Sequence, residues 1–170
     1  MARAALGLGS NLGDRRARLA AALLRLRDAG PILAVSSLYE TAPIGGPAQG
    51  PFLNAVAIVD TGLPPRPLLE LCQGIEREAG RRRLVRWGPR SLDIDLLLYE
   101  GMVVEEQGLK IPHPQLALRR FALEPLVEAW PEAALPDGTS AASLLPGVAG
   151  QEAEVVAGPG WWQQTALSSG

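Results

Sequence analysis

At 170 residues the chain is the size of one domain, large enough for a single hydrophobic core and too small for two comfortable ones. A hydrophobic share of 47%, a charged share of 20% and a mean hydropathy of +0.10 exclude a disordered chain and a membrane-spanning helical one. A net charge of −2 and a pI of about 5.5 exclude a surface built throughout for nucleic acid.

The first segment, "ARAALGLG" (2–9), is a short apolar run that predicts a buried strand. "SNLGD" after it supplies capping residues for a helix on which Leu19, Leu23 and Leu26 recur at helical spacing, and Gly30-Pro31 stops that helix. The N-terminal stretch is too short for a signal-peptide core and no small-residue cleavage pattern follows it, so a cytoplasmic location is expected. A strand is predicted over "ILAVSSLY" (32–39), then a glycine- and proline-rich connection, "ETAPIGGPAQGP" (40–51). "FLNAVAIVD" (52–60) alternates as a strand does, with Leu53, Ala55, Ala57 and Val59 on one face and Asn54, Val56 and Ile58 on the other. A helix follows on the stripe Leu68, Leu71, Cys72, Ile75 and Ala79, where the single cysteine reads as a buried, inert thiol. Gly80 ends it, an arginine-rich loop runs to Arg90, and "SLDIDLLLY" (91–99) is the fourth strand.

The order β-α-β-β-α-β is the split βαβ of the ferredoxin-like fold, an α+β core with helices packed on an antiparallel sheet. C-terminal additions follow: a hairpin turned at Glu100-Gly101 through "MVV", then "LKIPHP" with the only histidine, then a short helix over "FALEPLVEAW". From about residue 150 to 170 the chain reads as an extension, either an edge strand or a loosely held tail, and residues 1–170 are expected to form one domain.

Within the fourth strand, Leu92, Ile94, Leu96 and Leu98 are predicted on one side and Asp93 and Asp95 on the other, with the aspartate Cα atoms ~6.5 to 7 Å apart by the strand rise. Two like charges at that spacing repel unless a proton or a cation comes between them, and a divalent metal resolves the conflict. The plainer alternative is a solvated pair on an exposed sheet face. Five arginines (81, 82, 83, 86 and 90) lie within ten positions just ahead of the pair. Alone such a run reads equally well as a solvated loop, but beside two carboxylates it makes a cationic clamp next to a metal nest. Nucleotide phosphates call for both, since Mg²⁺ uses one or two carboxylates plus phosphate oxygens and arginine offers phosphate a fixed fork of donors.

Other phosphate devices fit less well. Lys110, the only lysine, sits in "GLKIP", so a P-loop is excluded. "GLGSNLG" with Glu40 resembles a dinucleotide loop and its ribose-binding acid, but the spacing is GxGxxxG and two successive strands break a doubly wound sheet. Two further alternatives are an RNA-binding module on the sheet face, which the first strand's lack of aromatics disfavours, and a nucleotide-sugar transferase using D-x-D.

"RWGPRSLDIDLLLY" with "GRRR" ahead of it, together with "ALGLGSNLGD", "YETAPIGGPAQGPFLNAV" and "IPHPQLALRRFAL", closely resembles the hydroxymethyl-dihydropterin pyrophosphokinases of folate biosynthesis over residues 5 to 130. The resemblance implies transfer of pyrophosphate from ATP to the hydroxymethyl group of a dihydropterin, with AMP released and two Mg²⁺ ions held by Asp93 and Asp95. It implies that Arg81 and Arg83 lie on a loop that closes over the triphosphate, Arg81 serving the chemical step. It further implies that Trp87 helps seal the site and that Arg90 bridges phosphate and pterin. By the same resemblance Gln73, Glu76, His113 and Arg119 serve ATP. It likewise implies that Phe52 and Phe121 sandwich the pterin, that Asn54 reads its polar edge, and that Thr41, Pro43, Ile44 and Gly45 supply loop contacts. Only small-molecule partners are expected, with no nucleic acid and no membrane, and the chain is expected to be a monomer, with a homodimer as the alternative. Phosphoryl-type transfer asks mainly for positioning and charge neutralisation, so no protein nucleophile is needed.

Overall fold

The computed structural model describes residues 1–11, 14–41, 52–80 and 92–163. In chain order the elements are β1 (Ala2–Ser10), α1 (Arg15–Leu26), β2 (Ile32–Val35), β3 (Leu38–Thr41), β4 (Phe52–Thr61), α2 (Pro65–Gly80), β5 (Asp93–Tyr99), β6 (Val104–Glu106), β7 (Leu109–Ile111), α3 (Arg120–Ala129) and β8 (Glu154–Ala157). The main sheet runs β5-β1-β4-β3-β8, with β2 also on β4, and every pairing is antiparallel. An all-antiparallel sheet sets aside the doubly wound dinucleotide alternative.

Alternation along β1, β4 and β5 divides the core between the two sheet faces. On one face Leu6, Leu8, Ala55, Ala57, Ile94 and Leu96 pack with Leu19, Leu23 and Leu26 of α1 and with Leu68, Cys72 and Ile75 of α2. On the other, Ala5, Val56, Ile58, Leu97 and Leu98 pack under Ala122, Leu123 and Leu126 of α3. Because α3 lies on this second face, the open sheet surface that single-strand RNA binding needs is taken up by a helix. α1 starts at Asp14, whose side chain accepts from Ala17 N at 3.2 Å, and the chain turns after it at Gly30. Gly30 has φ +148°, and a Cβ there would lie 2.0 Å from Asp60 O, so no other residue fits.

Three expectations change. The strand expected over 32–39 is two strands, broken at Ser36-Ser37, where the Ser36 hydroxyl donates to Ser37 O and accepts from Val56 N. Leu98 does not share a face with Leu96: β5 bulges on β1, with Leu6 opposite Leu96 but Ala5 opposite Leu98, so Leu97 is the extra residue. Leu97 and Leu98 therefore both face α3, and Tyr99 returns to the side of α1 and α2. The hairpin turns at Gln107-Gly108, between β6 and β7, while Gly101 (φ +73°) only redirects the chain after β5.

The C-terminal region is part of the packing. β8 pairs with β3, and Trp161, 2% exposed, joins the larger core with its Nε1 donating to Ser36 O at 3.0 Å. Arg27 lies over the Trp162 ring at 5.4 Å. Among the described residues no helix is long and apolar enough to cross a membrane.

A candidate active site on one face of the sheet

The face that carries α3 opens into a cavity of about 240 Å³. Its floor is laid strand by strand: Asp93 and Asp95 on β5, Gly7 and Gly9 on β1, Phe52 and Asn54 on β4, and Thr41 at the end of β3. Arg119, Phe121 and Ala122 close it from α3 and the residue before it. Strand parity puts these groups together. Asp95 is opposite Gly7 and Asp93 opposite Gly9 across β1–β5, and Gly9 is opposite Asn54 across β1–β4.

The two glycines are what make the space. A Cβ at Gly9 would approach Asn54 Oδ1 to 3.0 Å, and one at Gly7 would approach Leu97 Cδ1 to 3.2 Å. Sequence reasoning read both glycines only as part of "GLGSNLG", a dinucleotide-loop alternative, and not as the floor of a cavity. The available signal was that Gly7 and Gly9 stand two apart on the first strand, and so share a face.

Polar and aromatic groups line the β4 side. Asn54 is 6% exposed, and its Nδ2 donates to Thr41 Oγ1 at 2.8 Å, which fixes the amide with Oδ1 as its remaining acceptor. Phe52 and Phe121, both half-buried, supply rings from β4 and α3, and the Arg119 guanidinium lies 5.5 Å from the Phe121 ring centroid. Asp93 and Asp95 are half-buried on the β5 side.

Glu76, Gln73 and His113 do not line this cavity, and the first and last stand instead behind β5. The Glu76 carboxylate accepts from Ile94 N at 2.8 Å, gripping the strand between the two aspartates. His113 N donates to Leu97 O at 2.9 Å, and its Nδ1 accepts from Gln115 N at 3.1 Å, so a neutral ring carries its proton on Nε2. These contacts satisfy backbone groups on the edge strand. Gln73 is exposed on α2, three residues before Glu76 and so on the same face. Cys72 is 1% exposed, and burial, followed by the nearby Glu76 and Asp95 charges, pushes its thiol up to about 12. Arg81, Arg83, Trp87, Arg90, Pro43, Ile44 and Gly45 lie outside the described residues.

A second latch holds α3 to the sheet. The Glu128 carboxylate accepts from Ser37 N (3.0 Å), Ser37 Oγ (2.6 Å) and Tyr39 OH (2.7 Å), tying the helix to the start of β3. Burial and that carboxylate raise the Tyr39 phenol well above its ordinary value.

Residues 5–131 match the family described as 7,8-dihydro-6-hydroxymethylpterin-pyrophosphokinase (HPPK). A Bacillus subtilis protein named 2-amino-4-hydroxy-6-hydroxymethyldihydropteridine pyrophosphokinase is 48% identical over 125 residues, covering 72% of this chain and 75% of that one. One of the same name from Methylorubrum extorquens is 48% identical over 135 residues, covering 78% and 85%. Among solved structures, wild-type HPPK-DHPS of Plasmodium falciparum superposes with a TM-score of 0.67 at 17% identity, a likeness of fold. The match takes in 86% of this chain, which spans less than half (44%) of that longer one.

Proposed function

The chain belongs to the 7,8-dihydro-6-hydroxymethylpterin-pyrophosphokinase family, and on that premise we propose how its residues divide the reaction. The activity is transfer of pyrophosphate from ATP to the hydroxymethyl group of 6-hydroxymethyl-7,8-dihydropterin in folate biosynthesis. One observation carries the assignment of roles: a single cavity holds two carboxylates on its β5 side and two aromatic rings with an oriented amide on its β4 side, separated by glycine backbone.

Asp93 and Asp95 would hold Mg²⁺, two ions by the resemblance. The donor set fits, since Mg²⁺ takes one or two carboxylates and completes its shell with substrate phosphates and water. When bound, Mg²⁺ supplies charge neutralisation at the phosphoryl oxygens.

The remaining work is positioning. Phe52 and Phe121 offer faces to a flat heterocycle, and Asn54 Oδ1, aimed by the bond to Thr41, accepts from its polar edge. The substrate's own hydroxymethyl oxygen attacks the β-phosphorus, as AMP release requires, so the chain need only hold it in line. Arg119 offers its guanidinium to phosphate. We assign Arg81 to the chemical step, Arg83 and Arg90 to phosphates, Trp87 to closing the site, and Pro43, Ile44 and Gly45 to backbone contacts with the pterin, all by resemblance. Gln73, Glu76 and His113 belong to the ATP side on the same grounds.

The same reading takes the β5-β1-β4-β3 order as a ferredoxin-like core and residues 1–170 as one domain. It takes the protein to be cytoplasmic and a monomer, with a homodimer as the alternative. The test is AMP formation from ATP, Mg²⁺ and hydroxymethyl-dihydropterin. Asp95→Ala should lose about a thousandfold in turnover with an unchanged circular dichroism spectrum. Near-normal AMP release by that variant would overturn the role given to the acid pair.

A further inference from the structure

The match to the family ends at residue 131, yet a side chain twenty residues later bonds to the backbone on either side of Arg119. Gln151 Nε2 donates to Leu118 O at 2.8 Å, and its Oε1 accepts from Arg120 N at 2.9 Å. The amide thus brackets Arg119 on both sides. Arg120 returns the contact, its Nη1 donating to Gln151 O at 2.7 Å and to Ala149 O at 3.2 Å, while Nε and Nη2 pair with Glu124 at 3.3 Å.

The bracket meets a local need. α3 begins at Arg120 after an extended Arg119 (φ −126°, ψ 114°) whose side chain makes no capping hydrogen bond. The first N–H groups of a helix need acceptors from elsewhere, and Gln151 supplies one from 31 residues away. With the cap provided in this way, the Arg119 guanidinium lies over Phe121 and lines the cavity. The segment also borders a second, polar cavity with Glu40, Thr41 and Arg120, and Thr41 is shared with the first.

We infer that Gln151 is a positioning residue for the pterin and phosphate contacts: its side-chain amide sets the backbone from Leu118 to Arg120, and through it the placement of the Arg119 guanidinium and the Phe121 ring. This rests on the roles given to Arg119 and Phe121 above.

The test compares the unmodified chain with Gln151→Met, which keeps the length and loses both hydrogen bonds, and with Val155→Ala on the exposed part of β8. Without any ligand, amide exchange at Arg120 in Gln151→Met should quicken about tenfold with the melting temperature kept, and unchanged exchange would overturn the bracket. With a non-hydrolysable ATP analogue and then the dihydropterin, calorimetry should show the pterin dissociation constant of Gln151→Met raised about fivefold and that of Val155→Ala unchanged. A pterin constant within twofold of the unmodified chain would overturn the positioning role. Should Gln151→Met fail to fold, Gln151→Glu keeps the acceptor for Arg120 N and loses the donor to Leu118 O. It should then weaken pterin binding about threefold, and no change would count against the inference. If the unmodified chain makes no AMP, the functional reading fails by itself, and the exchange measurement still decides whether the bracket exists.

Discussion

The two faces of β1, β4 and β5 are built from the same three strands by alternate residues, yet at the end that carries Asp93 and Asp95 they obey opposite rules. Toward α1 and α2 stand Leu6, Leu8, Ala55, Ala57, Ile94 and Leu96, none more than 4% exposed. Toward α3 the same strands show Gly7, Gly9, Asn54, Asp93 and Asp95, a surface that leaves space and places charge. One face is close-packed along its length, and the other, packed under α3 by Ala5, Val56, Ile58, Leu97 and Leu98, gives up packing at its Asp93–Asp95 end to hold a cavity. Stability and chemistry are thus separated by a single step along the strand, and substitutions on the two faces should separate in the same way.

The sharpest contrast is between neighbours. Asp93→Asn should lower turnover about a hundredfold or more with the denaturation midpoint nearly unchanged, as read from AMP release and a urea titration. Leu96→Ala, three residues on and facing the helices, should instead cost about 3 kcal/mol of stability while the folded fraction keeps its KM for both substrates. If Leu96→Ala impaired the chemistry as strongly as it impaired stability, the division between the faces would not hold. Gly9→Ala tests the cavity floor: with only 3.0 Å to Asn54 Oδ1, the added methyl should displace the amide and weaken pterin binding about fivefold.

The smallest effect belongs to Cys72 on the packed face. Its thiol has a folded pKa near 12 against an ordinary 9.0, so the fold favours the protonated form. That contribution is fully present below the unfolded value and drains away as pH rises from about 9 towards 12. The unmodified chain should therefore lose more stability than Cys72→Ala between about pH 8 and about pH 10, measured by denaturant titration. Equal losses would mean that the thiol is not held in apolar surroundings.

Much of this was legible in the sequence because it depends on local period. The leucines of α1, the stripe of α2, the alternation of β4 and the pairing of Asp93 with Asp95 follow from spacings of 3.6 and 2. What the spacing could not show depends on distant partners. The break at Ser36-Ser37 is held by Glu128 and Trp161, each about 90 residues or more away. The parity change at Leu97 needs β1 as its reference, and α3 could not be placed over the second face from its own amphipathic pattern. Gly7 and Gly9 were visible as a pair but had meaning only once Asn54 and Leu97 were known to stand against them. The C-terminal tryptophans carried no local signal for burial, and Gln151 carried none for its contact with residues 118 and 120.

The bulge at Leu97 has a bearing on how this strand can vary over time. Upstream of it, Asp93 and Asp95 face α3 in odd positions. Downstream, Leu98 takes that side in an even one, and Tyr99 swings back to donate its hydroxyl to Leu63 O at 2.7 Å. Gaining one residue between Asp95 and Tyr99 would put one half of the strand out of phase with the other, turning carboxylates into the leucine layer or the tyrosine out of it, whereas losing the extra residue leaves a regular ladder with Asp95 and Leu98 on the α3 side and Leu96 and Tyr99 on the other. β5 is therefore free to drift by exchange of side chains and can shed its bulge, but is closed to lengthening, a constraint set by a hydrogen-bond register and not by any one residue's chemistry.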